Sequence, residues 1–393
     1  MDLSFLSPLY VRPGPWASVY LDASHNTADA ATELELRWRG LREQLRDKGV
    51  DTPTVHALGE AILRHEPRPG AYGLALFATA GEVVLSHYLP APPLRDLATY
   101  DPLPHAMPLV VQRGEEIPWI RVLVNRVGGD IDAVSVGALP RQVRVDGGER
   151  YPLRKVKPGG WSQAHFQRAA EMSWHRNAGD VAKATADLAD VVGAEVLVVA
   201  GDPQARQQLI AQLPVRWQRR LVQTDAGARA VGTDPEPLND VTAEAVAEVA
   251  AAHTRDALDR YAAQQGIGNG LSAAVAALQR NQVDLLLLVD DPSSTARLWI
   301  GPEPTQISTD PEELVAMGVP DPQQVRADEA LLRALVGTGA GLVLVGPDDA
   351  DLDDGVGVVL RYADAATPGR GDRVVETITS HSHHVGRGPR VRR

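Results

Sequence analysis

Apolar residues recur along this chain with a changing period, and the changes mark its elements. Ala17-Ser18-Val19-Tyr20-Leu21 reads as a strand. After a polar turn, Leu34, Trp38, Leu41 and Leu45 recur at steps of four, three and four, which places them on one helix face. Asp47-Lys48-Gly49 ends that helix with a favoured glycine stop. The runs 73–77 and 83–85 flank Thr79-Ala80-Gly81-Glu82 and predict a hairpin. A proline-rich stretch, 89–108, then leads to a boundary near residue 115.

A second region opens on another hairpin, 120–124 and 133–136, with its turn at Gly128-Gly129-Asp130. The long helix that follows has Phe166, Ala170, Trp174, Val181, Leu188 and Val192 as its buried stripe, while His165, Arg168, Glu171, Arg176 and Lys183 fall mainly on other faces. The run 195–200 is a buried strand, and Gly201-Asp202-Pro203 starts the next helix with a cap and a proline in the first turn. Residues 232–239 form a turn-rich linker. Beyond it the pattern predicts helices at 241–265, 271–281 and 328–336 and strands at 283–289, 341–345 and 356–362. From residue 363 the chain is polar and rich in Gly and Arg, the composition of a flexible tail. The expected fold class is α/β, with domains at 1–115, 116–231 and 235–365 and a tail at 366–393.

At 393 residues the chain can hold two or three cores. With 44% hydrophobic but only 5% aromatic residues, those cores are built mainly from Leu, Val, Ala and Ile. The absence of cysteine excludes disulfides, thiolate metal sites and a Cys nucleophile, and it fits a reducing cytoplasm. No segment approaches 18 uninterrupted apolar residues, and the first residues lack the basic-then-apolar order of a secretion signal. A soluble, cytoplasmic protein without a membrane partner is expected. The formal charge of -12 opposes indiscriminate binding to nucleic acid, so any RNA contact has to be local.

The densest local candidate is Arg154-Lys155-Val156-Lys157-Pro158-Gly159-Gly160-Trp161-Ser162-Gln163, which runs directly into the long helix. The paired glycines let the main chain approach another surface closely. The three cations can neutralise phosphates, the indole can stack on a base, and the amide can both donate and accept. Taken alone, the same loop is equally a solvated Pro-Gly turn. Two further basic groups are Arg216-Trp217-Gln218-Arg219-Arg220 and the tail Arg387, Arg390, Arg392 and Arg393.

Other chemistry lacks a motif. Gly266-Ile267-Gly268-Asn269-Gly270 and Gly337-Thr338-Gly339-Ala340-Gly341 both follow helices, whereas a dinucleotide fingerprint follows a strand. The acidic run 348–355 lacks the glycine and the bidentate glutamate of a calcium loop. Neither a Gly-x-Ser-x-Gly elbow nor a His-Glu-x-x-His helix occurs. No catalytic residue, metal ligand or cofactor is assigned.

Three segments, in order, resemble the archaeo-eukaryotic peptide-release-factor and Pelota superfamily, and more closely its bacterial branch. Ser18-Val19-Tyr20-Leu21-Asp22, with the following helix and hairpin, is similar to that branch's amino-terminal domain. Gly159-Gly160-Trp161-Ser162-Gln163-Ala164-His165-Phe166-Gln167-Arg168 occupies the place of the family's Gly-Gly-Gln loop and long helix. Gly270-Leu271 through Val283-Asp284-Leu285-Leu286-Leu287, closed by Gly355-Val356-Gly357-Val358-Val359-Leu360-Arg361-Tyr362, is similar to the carboxy-terminal domain, whose last strand ends in Leu-Arg-Tyr. The resemblance implies an amino domain facing the decoding site, a central domain reaching the peptidyl-transferase centre, and a third domain of the ribosomal L30e-like type.

The departures from the family pattern point to function. Trp161 stands where the family's glutamine helps to position water against the peptidyl-tRNA ester, and an indole cannot accept a hydrogen bond from water. The codon-reading Asn-Ile-Lys-Ser tetrapeptide is absent, and a chain without cysteine cannot hold the family's Tyr-x-Cys-x-x-x-Phe motif. The Balon-like members of the bacterial branch are ribosome hibernation factors, and the resemblance implies the same role here. It implies occupation of the vacant A site, with 23S and 16S rRNA and elongation factor Tu as partners and no DNA. In that reading Arg154, Lys155, Lys157 and Arg168 contact phosphates and Trp161 stacks on an exposed base. Gln163 and His165 make polar contacts, and Gly159, Gly160 and Ser162 complete the rRNA-facing turn. The alternative is a Vms-type peptidyl-tRNA hydrolase in ribosome rescue, with Gln163 orienting the water. An adaptor for another protein is a third reading.

Overall fold

The computed structural model describes residues 1–136, 141–146, 160–229, 233–264 and 267–362, with 160–173 as backbone only. It is a mixed α/β protein, and the strands among the described residues form four sheets. After a short helix α1 (Ser7–Tyr10), the first sheet is built from β1 (Trp16–Asp22), β2 (Gly73–Thr79), β3 (Glu82–Leu89) and β4 (Leu97–Asp101), all antiparallel, in the order β3-β2-β1-β4. Helices α2 (Ala30–Asp47) and α3 (Thr52–Leu63) lie between β1 and β2, and α4 (Met107–Arg113) follows β4.

Side chains alternate across a strand, and both faces of β1 are buried. Ala17, Val19 and Leu21 pack with Trp38, Leu41 and Leu45 of α2, whereas Trp16 and Tyr20 face a different core. The predicted helix stripe is therefore observed, apart from Leu34, which is only partly buried. The proline-rich stretch differs from its expected role as a simple connection: it contains β4, paired to β1 with Val19 opposite Ala98. The short run 97–101 is flanked by prolines and lies at the sheet's edge, where proline is tolerated.

The central sheet combines β5 (Trp119–Val124), β6 (Gly128–Val134), β7 (Arg141–Asp146), β8 (Val196–Gly201) and β9 (Leu221–Gln223) in the order β7-β6-β5-β8-β9. β5, β8 and β9 run parallel, and β5, β6 and β7 are antiparallel. The β5–β6 turn sits three residues earlier than the glycines suggest. Asn125 Oδ1 accepts from the backbone N–H groups of Val127 and Gly128, while Gly128 and Gly129 lie inside β6. Close approach requires them there: a Cβ on Gly128 would sit 2.0 Å from Val145 O, and one on Gly129 would sit 2.8 Å from Val181 Cγ1.

Helix α5 (Gly160–Val192) crosses from β7 to β8, and α6 (Pro203–Gln212) and the short α7 (Val215–Gln218) follow β8. The expected cap of α6 is present, Asp202 Oδ1 accepting from the N–H groups of Gln204 and Ala205 at 3.0 Å each. Asp202→Ala is expected to cost about 1 kcal/mol. A thermal melt should register a fall of about 2–4 °C.

Helix α8 (Glu236–Ala263) begins inside the stretch expected to be a linker, with a proline in its first turn. Its first half packs Leu238 and Ala245 on Val196, Val198 and Ala200 of the central sheet, on the face opposite α5. Its last turns pack Tyr261 on Leu287, Val345 and Val359 of the next sheet. One helix thus covers two sheets.

The remaining chain forms α9 (Leu271–Gln279), β10 (Val283–Val289), β11 (Arg297–Ile300), β12 (Ile307–Ser308), α10 (Pro311–Ala316), β13 (Gln323–Arg326), α11 (Ala327–Thr338), β14 (Gly341–Val345) and β15 (Val356–Leu360). β10 is central between parallel β14 and antiparallel β15, and β12-β11-β13 make a separate small sheet that the sequence pattern did not predict. The second face of the first sheet packs here, and Trp16, Tyr20 and Phe77 share one core with Leu278, Leu286, Leu331 and Leu335. Within it His105 Nδ1 lies 3.0 Å from Glu329 Oε1, and the Tyr20 hydroxyl donates to His105 O at 2.6 Å. Burial raises the pKa of Glu329, and the contact with His105 opposes that rise.

Candidate nucleic-acid interface

The candidate site runs from residue 154, beyond β7, into the opening turns of α5, so its second half, expected as a glycine turn, is helix from Gly160 onward. Arg154, Lys155, Lys157 and Gly159 lie outside the described residues. Gly160 is the first residue of α5, so Trp161, Ser162, Gln163, His165 and Arg168 fall in its opening turns, with side chains outside the described residues. At 33 residues the helix is about 50 Å long, since each residue adds 1.5 Å.

The root of this helix is held by a set of polar contacts. Arg126, in the β5–β6 turn, places its guanidinium 4.5 Å from the centre of the Trp174 ring, a cation–π distance. The same side chain lies 3.5 Å from Asp202 Oδ2 and donates to Gln204 Oε1 at 2.9 Å. Asn177 Nδ2 donates to Arg126 O at 3.2 Å. On the neighbouring side Gln212 Nε2 donates to His175 O at 3.0 Å. Gly179 makes room for that amide, because a Cβ there would stand 2.7 Å from Gln212 Oε1. Below this root Val181, Ala182, Ala186, Ala189 and Val192 are buried against the sheet. Val181 and Val192 match the predicted stripe, Trp174 and Leu188 are half-buried, and the side chains of Phe166 and Ala170 lie outside the described residues.

The other flank is fixed by charge. Arg229 reaches Asp130 at 2.8 Å and Asp146 at 2.8 Å, and Arg144 reaches Asp130 at 2.9 Å. The hydrogen bond from Arg229 is the main cause holding the Asp130 carboxyl below its usual pKa; burial opposes it and Arg144 adds to it. Asp146 ends β7, so this network fixes the strand from which the chain departs toward the basic loop. Arg141, Gln142, Val143 and Arg144 are exposed along that edge strand.

Part of the group at 216–220 is engaged within the fold. Trp217 is buried in the core, Arg216 pairs with Asp190 of α5 at 2.6 Å, and Arg220 donates to Ala194 O at 2.8 Å. These cations hold α7 against α5 and β8. Arg219 is exposed and forms no ion pair among the described residues. The arginines 387–393 lie outside the described residues. Arg126, Asp130, Gln212 and Arg229 carry no sequence signal, because their partners are set by the crossing of strands and helices rather than by spacing.

The model of a family described as bacterial archaeo-eukaryotic release factor family 2 matches residues 118–267, which span the central sheet, α5 and α8. An uncharacterized protein of Mycobacterium tuberculosis is 32% identical over 361 residues, covering 90% of this chain and 95% of that protein. Among solved structures, ribosome-bound archaeal Pelota is 15% identical with a TM-score of 0.38, covering 92% of this chain and 94% of that one. An archaeal translation termination factor is 17% identical with a TM-score of 0.25, covering 91% and 96%.

Proposed function

Because this chain belongs to the bacterial branch of the archaeo-eukaryotic release factor and Pelota superfamily, we propose that it is a ribosome hibernation factor that occupies the vacant A site and shields the decoding and peptidyl-transferase centres. The observation that carries this reading is Trp161 in the first turn of α5, where the superfamily's hydrolytic loop holds glutamine. A long helix rooted by Trp174, Asn177 and Gly179 suits the presentation of a loop to a distant cleft. Arg154, Lys155, Lys157 and Arg168 are proposed to contact rRNA phosphates. Trp161 stacks on a base, while Gln163 and His165 make polar contacts beside it. Gly159, Gly160 and Ser162 bring the backbone close to the 23S rRNA. The amino-terminal unit meets the 16S rRNA, and elongation factor Tu accompanies delivery in the cytoplasm.

Cosedimentation with vacant ribosomes at rising salt tests the proposal. Binding is expected at low ionic strength and should fall steeply as salt is added. No binding even at low salt would overturn it. Gln163, also in the first turn of α5, supports the hydrolase alternative. On stalled large-subunit complexes carrying peptidyl-tRNA, no peptide release is expected; release that Gln163→Ala abolishes would establish the enzyme instead.

A further inference from the structure

The segment 113–118 joins the first sheet's unit to β5, and one side chain pins its middle. His253 of α8 has Nδ1 2.9 Å from Glu115 Oε1 and Nε2 2.9 Å from Glu195 Oε2. Only the imidazolium can donate from both nitrogens; a neutral ring leaves one carboxylate facing a lone pair. The three residues come from the connecting segment, from α8 and from the approach to β8. Glu195 N–H also donates to Pro118 O at 2.7 Å, and Ile117 is buried beside Val196 and Ala245. On the other side, Arg113 pairs with Glu116 at 2.7 Å, stacks 3.8 Å from the centre of the Phe5 ring and lies 3.4 Å from His87 of β3. The segment is thus tied to the first sheet at one end and to the central sheet at the other.

We propose that His253 is a proton-dependent clamp that locks the first sheet's unit against the central sheet as pH falls and loosens the two as pH rises. This goes beyond the ribosomal reading and does not depend on it. The charged groups acting on the imidazole are Glu115 from the connecting segment and Glu195 from the approach to β8; the Met1 amino group in turn acts on Glu115. The next ion pair along α8, Arg260 with Asp284, lies seven residues on, about 10 Å along the axis. The hydrogen bond to Glu115 is the main cause raising the His253 pKa, burial opposes it, and the charges of Glu115 and Glu195 add to the rise. A histidine raised above its unfolded value of about 6.5 contributes stability that is complete below that value and is lost as pH rises through the folded pKa.

Because the full chain has no cysteine, Ala91→Cys and Ala211→Cys, both at exposed positions, allow paired spin labels without competing thiols. The inter-label distance distribution is expected to be narrow at about pH 5.5 and broad at about pH 8. By NMR, His253 should titrate above the ordinary histidine value, and Glu115→Gln and Glu195→Gln should each lower the midpoint. At the acidic pH, His253→Gln should speed amide exchange in 113–118 about threefold to tenfold, a modest factor because the ring is partly exposed. A wild-type distance distribution unchanged between the two pH values overturns the proposal, as does a midpoint at or below the ordinary value.

Discussion

Replacing Arg154, Lys155 and Lys157 together by alanine is expected to weaken binding to vacant ribosomes about a hundredfold near physiological salt. Three phosphate contacts of about 1 kcal/mol each amount to roughly that factor. The same substitution should flatten the dependence of log affinity on log salt by about 2 to 3, since three fewer counterions are released. The effect is expected to be large because the chain as a whole carries a formal charge of -12, which leaves local cations to overcome a repulsive field. Lys183→Ala serves as the control, an exposed cation on the central unit that belongs to none of the basic groups. Binding isotherms at four or five salt concentrations separate the outcomes, and equal melting temperatures would show that the loss is local. If affinity falls but the slope is unchanged, the three cations do not meet phosphates, and the rRNA-facing assignment of the loop fails.

Gly201→Ala is expected to damage the central unit more than removal of a cap or a surface charge. Gly201 ends β8 at φ +109°, a conformation that side-chain-bearing residues rarely adopt, and a Cβ there would sit 2.0 Å from Val124 O. That carbonyl cannot simply move away, because it accepts from Asp202 N–H at 3.0 Å and belongs to the strand paired with β8. Backbone strain and steric overlap together should cost about 3 kcal/mol or more. The melting temperature should fall by roughly 6–12 °C. Gly193→Ala isolates the strain, since Gly193 has φ +67° and open space around it; it should cost about 1 kcal/mol. If the two variants melt alike, β5 and β8 do not approach as closely as described.

Local chemistry made much of this fold legible. Trp38, Leu41 and Leu45 announced the face of α2, Asp202-Pro203 announced the start of α6, and the leucine run at 283–289 announced the strand β10. Each depends on neighbours within one or two turns or along one strand. Where the reading departed from the fold, the deciding contact lay far away in sequence. Gly128 and Gly129 look like a turn but serve a strand, because β7 and α5 press against them. Trp217 sits among arginines in the sequence as if on a polar surface, but it is buried, while Arg216 and Arg220 bind Asp190 and the Ala194 carbonyl.

By itself, then, the sequence determined the α/β class, most element positions, the long helix α5, and the superfamily, because periodicity, capping and motif order are written in adjacent residues. Tertiary structure alone decided that α8 would cover two sheets, that 113–118 would be gripped by His253, and that His105 and Glu329, 224 positions apart, would meet in a core shared by the first and last parts of the chain. Such contacts follow from how whole elements stack. A residue's identity limits what it can bind, but the layers around it select its partner.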